Sequence, residues 1–138
     1  MGYMEEFKEL VEVIARLRAK DGCQWDREQT HSTLRPNMIE EAYEAVDAID
    51  EKDPAHLREE LGDVLLQVLL HSQIASETGE FDIEDVAKEL KDKLIHRHPH
   101  VFGNQKVEST QDIIDNWDKL KKEEKTYRKS ILDGISKS

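Results

Sequence analysis

The chain has 138 residues, of which 37% are charged and only nine are proline or glycine. This length suffices for one domain with a hydrophobic core, and the scarcity of turn-forming residues favours long helices over a sheet. The net charge of −11 argues against binding to nucleic acid, and no apolar run is long enough to span a bilayer. The single cysteine, Cys23, excludes an internal disulfide framework. These features predict a cytoplasmic all-α protein without nucleic-acid or membrane partners.

The charge is distributed unevenly along the chain. Residues 1–80 carry 8 Lys and Arg against 19 Asp and Glu, whereas residues 81–138 carry 12 of each. Chance would explain this asymmetry, and so would a division of labour in which the first part binds a cation and the second part binds an anion.

The first two of five predicted helices lie on either side of a polar loop. Apolar residues from Phe7 to Leu17 recur at helical spacing, which predicts a helix over about residues 4–20. The loop DGCQWDREQTHS follows. Ser32 or Thr33 is then predicted to cap the second helix, with Pro36 tolerated in its first turn.

The remaining three helices are marked by their termini. Asp53 and Pro54 start the third, which is expected to run to Gly79. Asp82 caps the fourth, which ends near Pro99 and is followed by the irregular segment HPHVFGNQKVE. A capping box of Ser109 with Asp112 starts the fifth. The chain is predicted to be one domain over 1–138, with its core at about 5–127 and a frayed tail at 130–138.

The third predicted helix carries one narrow polar stripe on an otherwise apolar surface. On a helical wheel Glu60, Asp63, Gln67 and His71 fall within about 80° of one another. The rest of the circumference is mainly leucine and valine, so this helix is expected to be buried on most sides. Because burying an unpaired carboxylate is costly, we expect the stripe to face another helix or an internal cleft.

The second predicted helix brings further acids to that stripe. Its core-facing arc is expected to consist of Met38, Ile39, Ala42, Ala45, Val46 and Ile49. Glu41 and Glu44 lie beside this arc, and taken alone they are typical of a solvated face. The short EKDP connection makes the two helices antiparallel neighbours, so that Glu41 and Glu44 can approach Glu60 and Asp63.

Four carboxylates held together repel one another unless a cation lies among them. Oxygen ligands alone favour a hard divalent ion, so the pattern predicts a site for Mg²⁺, or alternatively Mn²⁺. The competing interpretation is a solvated acidic face on a non-catalytic helical module.

Four stretches of the sequence resemble one protein family. EEAYE (40–44) followed by EELGD (59–63) resembles the EExxE…ExxD pattern of the MazG-type nucleoside triphosphate pyrophosphohydrolases. CQWDREQTH (23–31) resembles the family's C-P-W-D-x-x-Q-T-H, with Gln24 where proline is usual. KLIHRHPHVFG (93–103) and NWDKLKKEEK (116–125) are similar to later family segments. The resemblance covers about residues 5–127 and implies an all-α NTP pyrophosphatase domain that resembles a four-helix bundle.

The resemblance also implies roles for individual residues. The implied metal ligands are Glu41, Glu44, Glu60 and Asp63. The implied catalytic residues are Glu40, Glu41, Lys93 and Arg97, where Glu40 either orients water or is merely solvated. Lys93 and Arg97 also lie one turn apart, so both side chains can point at one phosphate chain. The other implied substrate contacts are Trp25, Gln29, His31, Trp117 and Lys121.

The implied activity is Mg²⁺-dependent hydrolysis of a nucleoside triphosphate to the monophosphate and pyrophosphate, with a role in cleaning the nucleotide pool. Two alternatives stay open: a non-catalytic helical module that dimerises or binds a partner, and a relative specific for one nucleotide such as dUTP or dCTP. The surplus of apolar surface on the first and third helices predicts a homodimer or a dimer of dimers.

Overall fold

The structure is a computed structural model that describes the backbone of residues 4–137 and the side chains of residues 4–129. Within these residues all regular secondary structure is helical and no strand is present, which confirms the all-α prediction. The helices in chain order are α1 (Glu5–Leu17), α2 (Gln24–Glu28), α3 (Arg35–Asp50), α4 (Pro54–Glu77), α5 (Ile83–Arg97), α6 (Pro99–Phe102) and α7 (Thr110–Lys137). None of these helices is both long and apolar enough to cross a bilayer.

The five predicted helices correspond to α1, α3, α4, α5 and α7, and two short helices were missed. Both α2 and α6 lie in segments that the sequence predicts to be irregular. Helices of one turn are too short to show the 3.6-residue periodicity on which sequence prediction rests. Pro99 opens α6, where its missing N–H group costs nothing because the first turn has no intrahelical acceptor for it.

The chain forms two compact units, Met1–Val86 and Ala87–Ser138. The family resemblance spans both units, and the single domain predicted over 1–138 stays a prediction. The frayed tail also stays a prediction, because side chains beyond Lys129 lie outside the described residues.

The core of the first unit forms where α1 packs against α4. Ile14 of α1 meets Leu69 and Leu70 of α4, and Leu34 closes the cluster from the turn that precedes α3. Each of these four side chains is at most 2% exposed. Burying a leucine or isoleucine side chain stabilises a fold by about 1.5–3 kcal/mol, so this cluster fixes the position of α4. This packing therefore determines the position of the polar stripe of α4.

Most predicted helix ends of the first unit are confirmed. The Asp53 carboxylate accepts hydrogen bonds from the backbone N–H groups of Ala55 and His56, which caps α4. Gly79 adopts a φ of 74° just after that helix, in the left-handed region that favours glycine. Asp82 caps α5 through the N–H of Asp85 at 2.9 Å.

The predicted cap of α3 is wrong. Leu34, rather than Ser32 or Thr33, precedes the helix, and it provides no side-chain hydrogen bond. Thr30 and Thr33 instead bond each other's backbone N–H groups with their hydroxyl groups, at 2.8 and 3.1 Å. Threonine stabilises such local turns as readily as it caps helices, so the sequence alone does not decide between them.

The face of α3 that packs on α4 also differs from the prediction. Ala45 of the expected core-facing arc is buried, and so is Ala48, which lies outside that arc, whereas Ile39, Val46 and Ile49 of the arc are 50–60% exposed. Alanines allow two helices to approach closely, and this rotation of α3 turns Glu41 towards α4. On α4 itself, Leu61 is 53% exposed, so α4 is less enclosed than its composition predicts.

Candidate active site

Three of the four predicted ligands meet between α3 and α4. Ligand oxygens of Glu41, Glu60 and Asp63 all lie within 4.8 Å of one another. Glu60 and Asp63 are one turn apart on α4, and Glu41 faces them from α3. Glu60 is buried, and the other two are half-buried. The polar stripe therefore faces a neighbouring helix, as the sequence predicts.

The charges of these acids act on one another. The pKa of Glu41 is raised, first by burial and then by the charges of Asp63, Glu60, Glu40 and Glu44. A raised carboxyl pKa means that ionising Glu41 is unfavourable in this setting. A divalent cation among the carboxylates would reverse that cost, and the all-oxygen donor set suits Mg²⁺ or Mn²⁺.

The two other predicted acids of α3 lie outside the group of three. Glu40 and Glu44 are both exposed, although both are near enough for their charges to raise the pKa of Glu41. Glu44 is one turn along α3 from Glu41. It can therefore join a ligand set only from the edge of the cluster.

His56 contacts this cluster and was not identified from the sequence. Its Nε2 lies 3.2 Å from Oε1 of Glu60, and its Nδ1 lies 2.9 Å from Oε2 of Glu51. The pKa of His56 is raised, chiefly by the hydrogen bond with Glu51 and further by Glu60. The only sequence signal was the spacing of four residues between His56 and Glu60, which places the two side chains on one helix face.

The polar stripe continues along α4 to a histidine pair. Gln67 is 4% exposed, and its Oε1 has no hydrogen-bond partner among the described residues. One turn further, Nδ1 of His71 lies 2.7 Å from Nδ1 of His31, and the two rings are nearly parallel with their centroids 5.0 Å apart, so they meet edge to edge. Burial, followed by the charge of His31, lowers the pKa of His71. This contact places the predicted substrate residue His31 beside the stripe that carries the acids.

The segment containing α2 is held by its own hydrogen bonds. Gln29 donates to the backbone carbonyl of Trp25 and accepts from the hydroxyl of Thr33, both at 2.9 Å. Both polar ends of the Gln29 side chain are therefore engaged within the segment. Trp25 is 54% exposed. The segment thus leaves about half of the Trp25 side-chain surface in solvent, and an exposed aromatic ring of this kind can stack on a base.

The predicted phosphate-binding residues belong to the second unit. Arg97 is largely buried and donates to the carboxylate of Glu124, while its guanidinium lies 5.8 Å from the centroid of the Trp117 ring. Lys93 is half-buried and lines a cavity of about 430 Å³, together with His96 and Glu124. Lys121 is exposed. The structure thus brings Arg97 and Trp117 together, and Glu124 is a partner that the sequence did not reveal.

Comparison with known proteins gives the family. Residues 29–102 match the model of the MazG nucleotide pyrophosphohydrolase domain. The chain belongs to this family. A crystal structure of a MazG-related protein from Thermotoga maritima superimposes with a TM-score of 0.68 and 31% identity, over 83% of this chain and 98% of that one. The family assignment made from the sequence is confirmed.

Two relatives of this MazG-family chain are longer proteins. It is 52% identical over 128 residues to the nucleoside triphosphate pyrophosphohydrolase/pyrophosphatase MazG of Thermotoga maritima, which covers 93% of this chain and 49% of that protein. It is 50% identical over 134 residues to the uncharacterized protein YabN of Bacillus subtilis, covering 96% of this chain and 27% of YabN. The chain therefore spans about half, or less, of these curated relatives.

Proposed function

We propose that this chain hydrolyses nucleoside triphosphates to nucleoside monophosphate and pyrophosphate, and that the reaction requires Mg²⁺, with Mn²⁺ as a substitute. The observation that carries the proposal is the grouping of Glu41, Glu60 and Asp63 within 4.8 Å in a chain of the MazG family. The corresponding cellular role is the removal of unwanted nucleotides from the cytoplasmic pool.

The surroundings of these acids favour a bound divalent ion over a solvated acidic face. Glu60 is buried, and the pKa of Glu41 is raised by burial and by its acidic neighbours. Keeping all of these carboxylates ionised without a bound cation is therefore unfavourable. We propose Glu41, Glu60 and Asp63 as the ligands, with Glu44 joining from its exposed position. A bound ion would offset the triphosphate charge and lower the pKa of a nearby water.

The remaining proposed roles divide between water and substrate. Glu40, exposed beside Glu41, would orient the water whose oxygen attacks the α-phosphorus while the bond to the bridging oxygen breaks. Lys93, Arg97 and Lys121 would stabilise the charge that develops on the leaving pyrophosphate.

The nucleoside needs partners of its own. We propose that Trp25 stacks on the base, with His31 and Trp117 as further contacts. Gln29 would act chiefly by shaping the segment around Trp25, since both ends of its side chain are engaged there.

A screen of substrates tests the proposal. Pyrophosphate release should be measured across the ribo- and deoxyribonucleoside triphosphates, with and without Mg²⁺. We expect release that depends on Mg²⁺ for at least one substrate. Activity on a single nucleotide would identify a nucleotide-specific relative, and absence of release from every nucleotide would contradict the proposal.

One observation favours self-association in addition to catalysis. The outer face of α3 and the start of α4 expose Ile39, Tyr43, Val46, Ile49 and Leu61, each between 50% and 69%. Apolar patches of this kind mark interaction surfaces. We propose that two copies of the chain associate through this face. Sedimentation analysis of Val46→Glu, which places a charge in the patch, should show loss of the dimer.

A further inference from the structure

We infer that Glu124 is a positioning residue for Arg97: it holds one edge of the guanidinium, so that the other edge is left free for a phosphate group. The inference rests on the proposed function, in which Arg97 binds the phosphates of the substrate. It adds a residue of α7 for which the sequence predicts no role.

The contact between Glu124 and Arg97 is well shielded and directional. Oε2 of Glu124 accepts from Nε of Arg97 at 3.2 Å and from Nη2 at 2.5 Å. The two side chains are 26% and 14% exposed, so solvent screens the pair only partly. Hydrogen bonds between ionised partners are about twice as strong as neutral ones. The pair therefore fixes the plane and the direction of the guanidinium.

A second contact, with Trp117, further restricts the orientation of the Arg97 guanidinium. The guanidinium carbon of Arg97 lies 5.8 Å from the centroid of the Trp117 ring. The ring of His98 contacts Trp117 edge-on, with 4.8 Å between the two ring centroids. The tryptophan is thus itself held in place. With the Nε edge on Glu124 and the guanidinium carbon over the Trp117 ring, the guanidinium has little freedom to turn.

The unused donors of Arg97 are those that suit a phosphate. A guanidinium has five N–H donors in a rigid fork. Nη1 has no hydrogen-bond partner within residues 4–129 of the structure. Lys93, one turn earlier on α5, lines the cavity that Glu124 also lines. Nη1 of Arg97 is thus without a partner among these residues, and a second cation, Lys93, lies one turn away on α5.

The alternative is that Glu124 competes with the phosphate for Arg97. The two interpretations predict opposite effects when the carboxylate is removed. Loss of a competitor strengthens phosphate binding, whereas loss of a positioning residue weakens it. The geometry favours positioning, because the carboxylate engages Nε and Nη2 and leaves Nη1 unoccupied.

The test compares Glu124→Ala and Glu124→Gln with Glu123→Ala as a matched control. Glu123 is the preceding residue of α7 and is exposed, and its substitution by alanine removes the same charge. We expect Glu124→Ala to raise KM and to lower kcat/KM about tenfold or more, the scale of a lost charge-assisted contact. Glu124→Gln keeps an acceptor for Arg97 and should retain intermediate activity, while Glu123→Ala should match the wild type. A lower KM in Glu124→Ala, or an unchanged kcat/KM, would overturn the inference.

A double-mutant cycle with Arg97→Ala separates positioning from a general effect on folding. If Glu124 acts through Arg97, its removal should change kcat/KM less than twofold in the Arg97→Ala background. Independent losses in both backgrounds would contradict positioning.

Calorimetric titration with inorganic pyrophosphate in the presence of Mg²⁺ distinguishes two outcomes: failure of this inference and failure of the proposed function. If no nucleotide is hydrolysed but Glu124→Ala still binds pyrophosphate tenfold more weakly than the wild type, only the proposed function fails. If the wild type hydrolyses nucleotides and Glu124→Ala equals it in both assays, only the inference fails.

Discussion

Arg18 and Glu77 form an ion pair that joins residues 59 positions apart. Nε and Nη2 of Arg18 each lie 2.9 Å from a different carboxylate oxygen of Glu77, at the end of α4. Nη1 of Arg18 donates to the backbone carbonyls of Asp26 and Gln29. A single guanidinium, whose side chain is 7% exposed, thus connects the end of α1, the segment containing α2 and the last turn of α4.

Removal of this guanidinium should destabilise the fold. Arg18→Ala leaves carbonyl groups at the end of α2 without their donor and breaks the pair with Glu77, so we expect a loss of about 1–3 kcal/mol in the free energy of unfolding. Arg16→Ala is the control, because Arg16 pairs with Asp21 while both side chains are more than 60% exposed. That change should cost less than about 1 kcal/mol. Urea denaturation measures both, and equal losses would contradict the assigned role of Arg18.

The pair with Arg18 should also appear in the pH dependence of stability. Hydrogen bonds from Arg18 lower the pKa of Glu77 in the folded chain. The unfolded chain therefore binds the proton more readily, so the stabilisation is present at neutral pH and is lost as the pH falls through the acidic range below about 4.3. The stability advantage of the wild type over Glu77→Gln should be constant above about pH 6 and shrink below about pH 4. An advantage that grows on acidification would contradict the assignment.

Local sequence rules predicted the parts of the fold that depend on neighbouring residues. The Asp53 cap, the Gly79 stop and the Asp82 cap each involve groups within a few positions, and each is present. The polar stripe of α4 also follows from helical periodicity alone. Its inward orientation could be predicted because an unpaired buried carboxylate is costly, so a stripe of this kind on an apolar helix implies a partner.

The features that could not be predicted depend on contacts between distant segments. Ala45 was placed correctly in the core-facing arc of α3, but Ala48, rather than Ile39 and Val46, shares the buried face, because close approach of two helices favours small side chains over greater hydrophobicity. A wheel of α3 alone cannot show this. The partner of Arg97 was missed for the same reason, since Glu124 lies 27 residues away and belongs to an ordinary run of charges.

Divalent ions should stabilise the folded chain if the acids bind metal. The cluster of Glu41, Glu60 and Asp63 exists only in the folded state, so an ion at a hundredfold excess over its Kd should add about 2–3 kcal/mol. Thermal unfolding of Asp63→Asn and Glu59→Gln, with and without Mg²⁺, provides the comparison. Glu59 is exposed on the same helix and should retain the full effect. A melting temperature insensitive to Mg²⁺ in the wild type would favour a solvated acidic face.

Substitutions on α5 should weaken phosphate binding without affecting metal binding. Lys93→Ala and Arg97→Ala should lower kcat/KM about tenfold to a hundredfold through lost charge-assisted contacts, and both should keep the stabilisation by Mg²⁺. Lys91→Ala removes an exposed cation of the same helix and should behave as wild type. Loss of the Mg²⁺ effect together with activity would show that α5 shapes the metal site rather than binding phosphate.

The most direct test of the central claim is the rate of pyrophosphate release by Asp63→Asn at saturating Mg²⁺, measured beside the wild type and Glu59→Gln. The substitution keeps the shape of the side chain but removes one of the three charges that meet between α3 and α4. We predict that Asp63→Asn abolishes turnover while its metal-free form is as stable as the wild type or more so, because repulsion is relieved. We expect Glu59→Gln to retain turnover. A rate within threefold of the wild type in Asp63→Asn would contradict the assignment of these acids as the catalytic metal site.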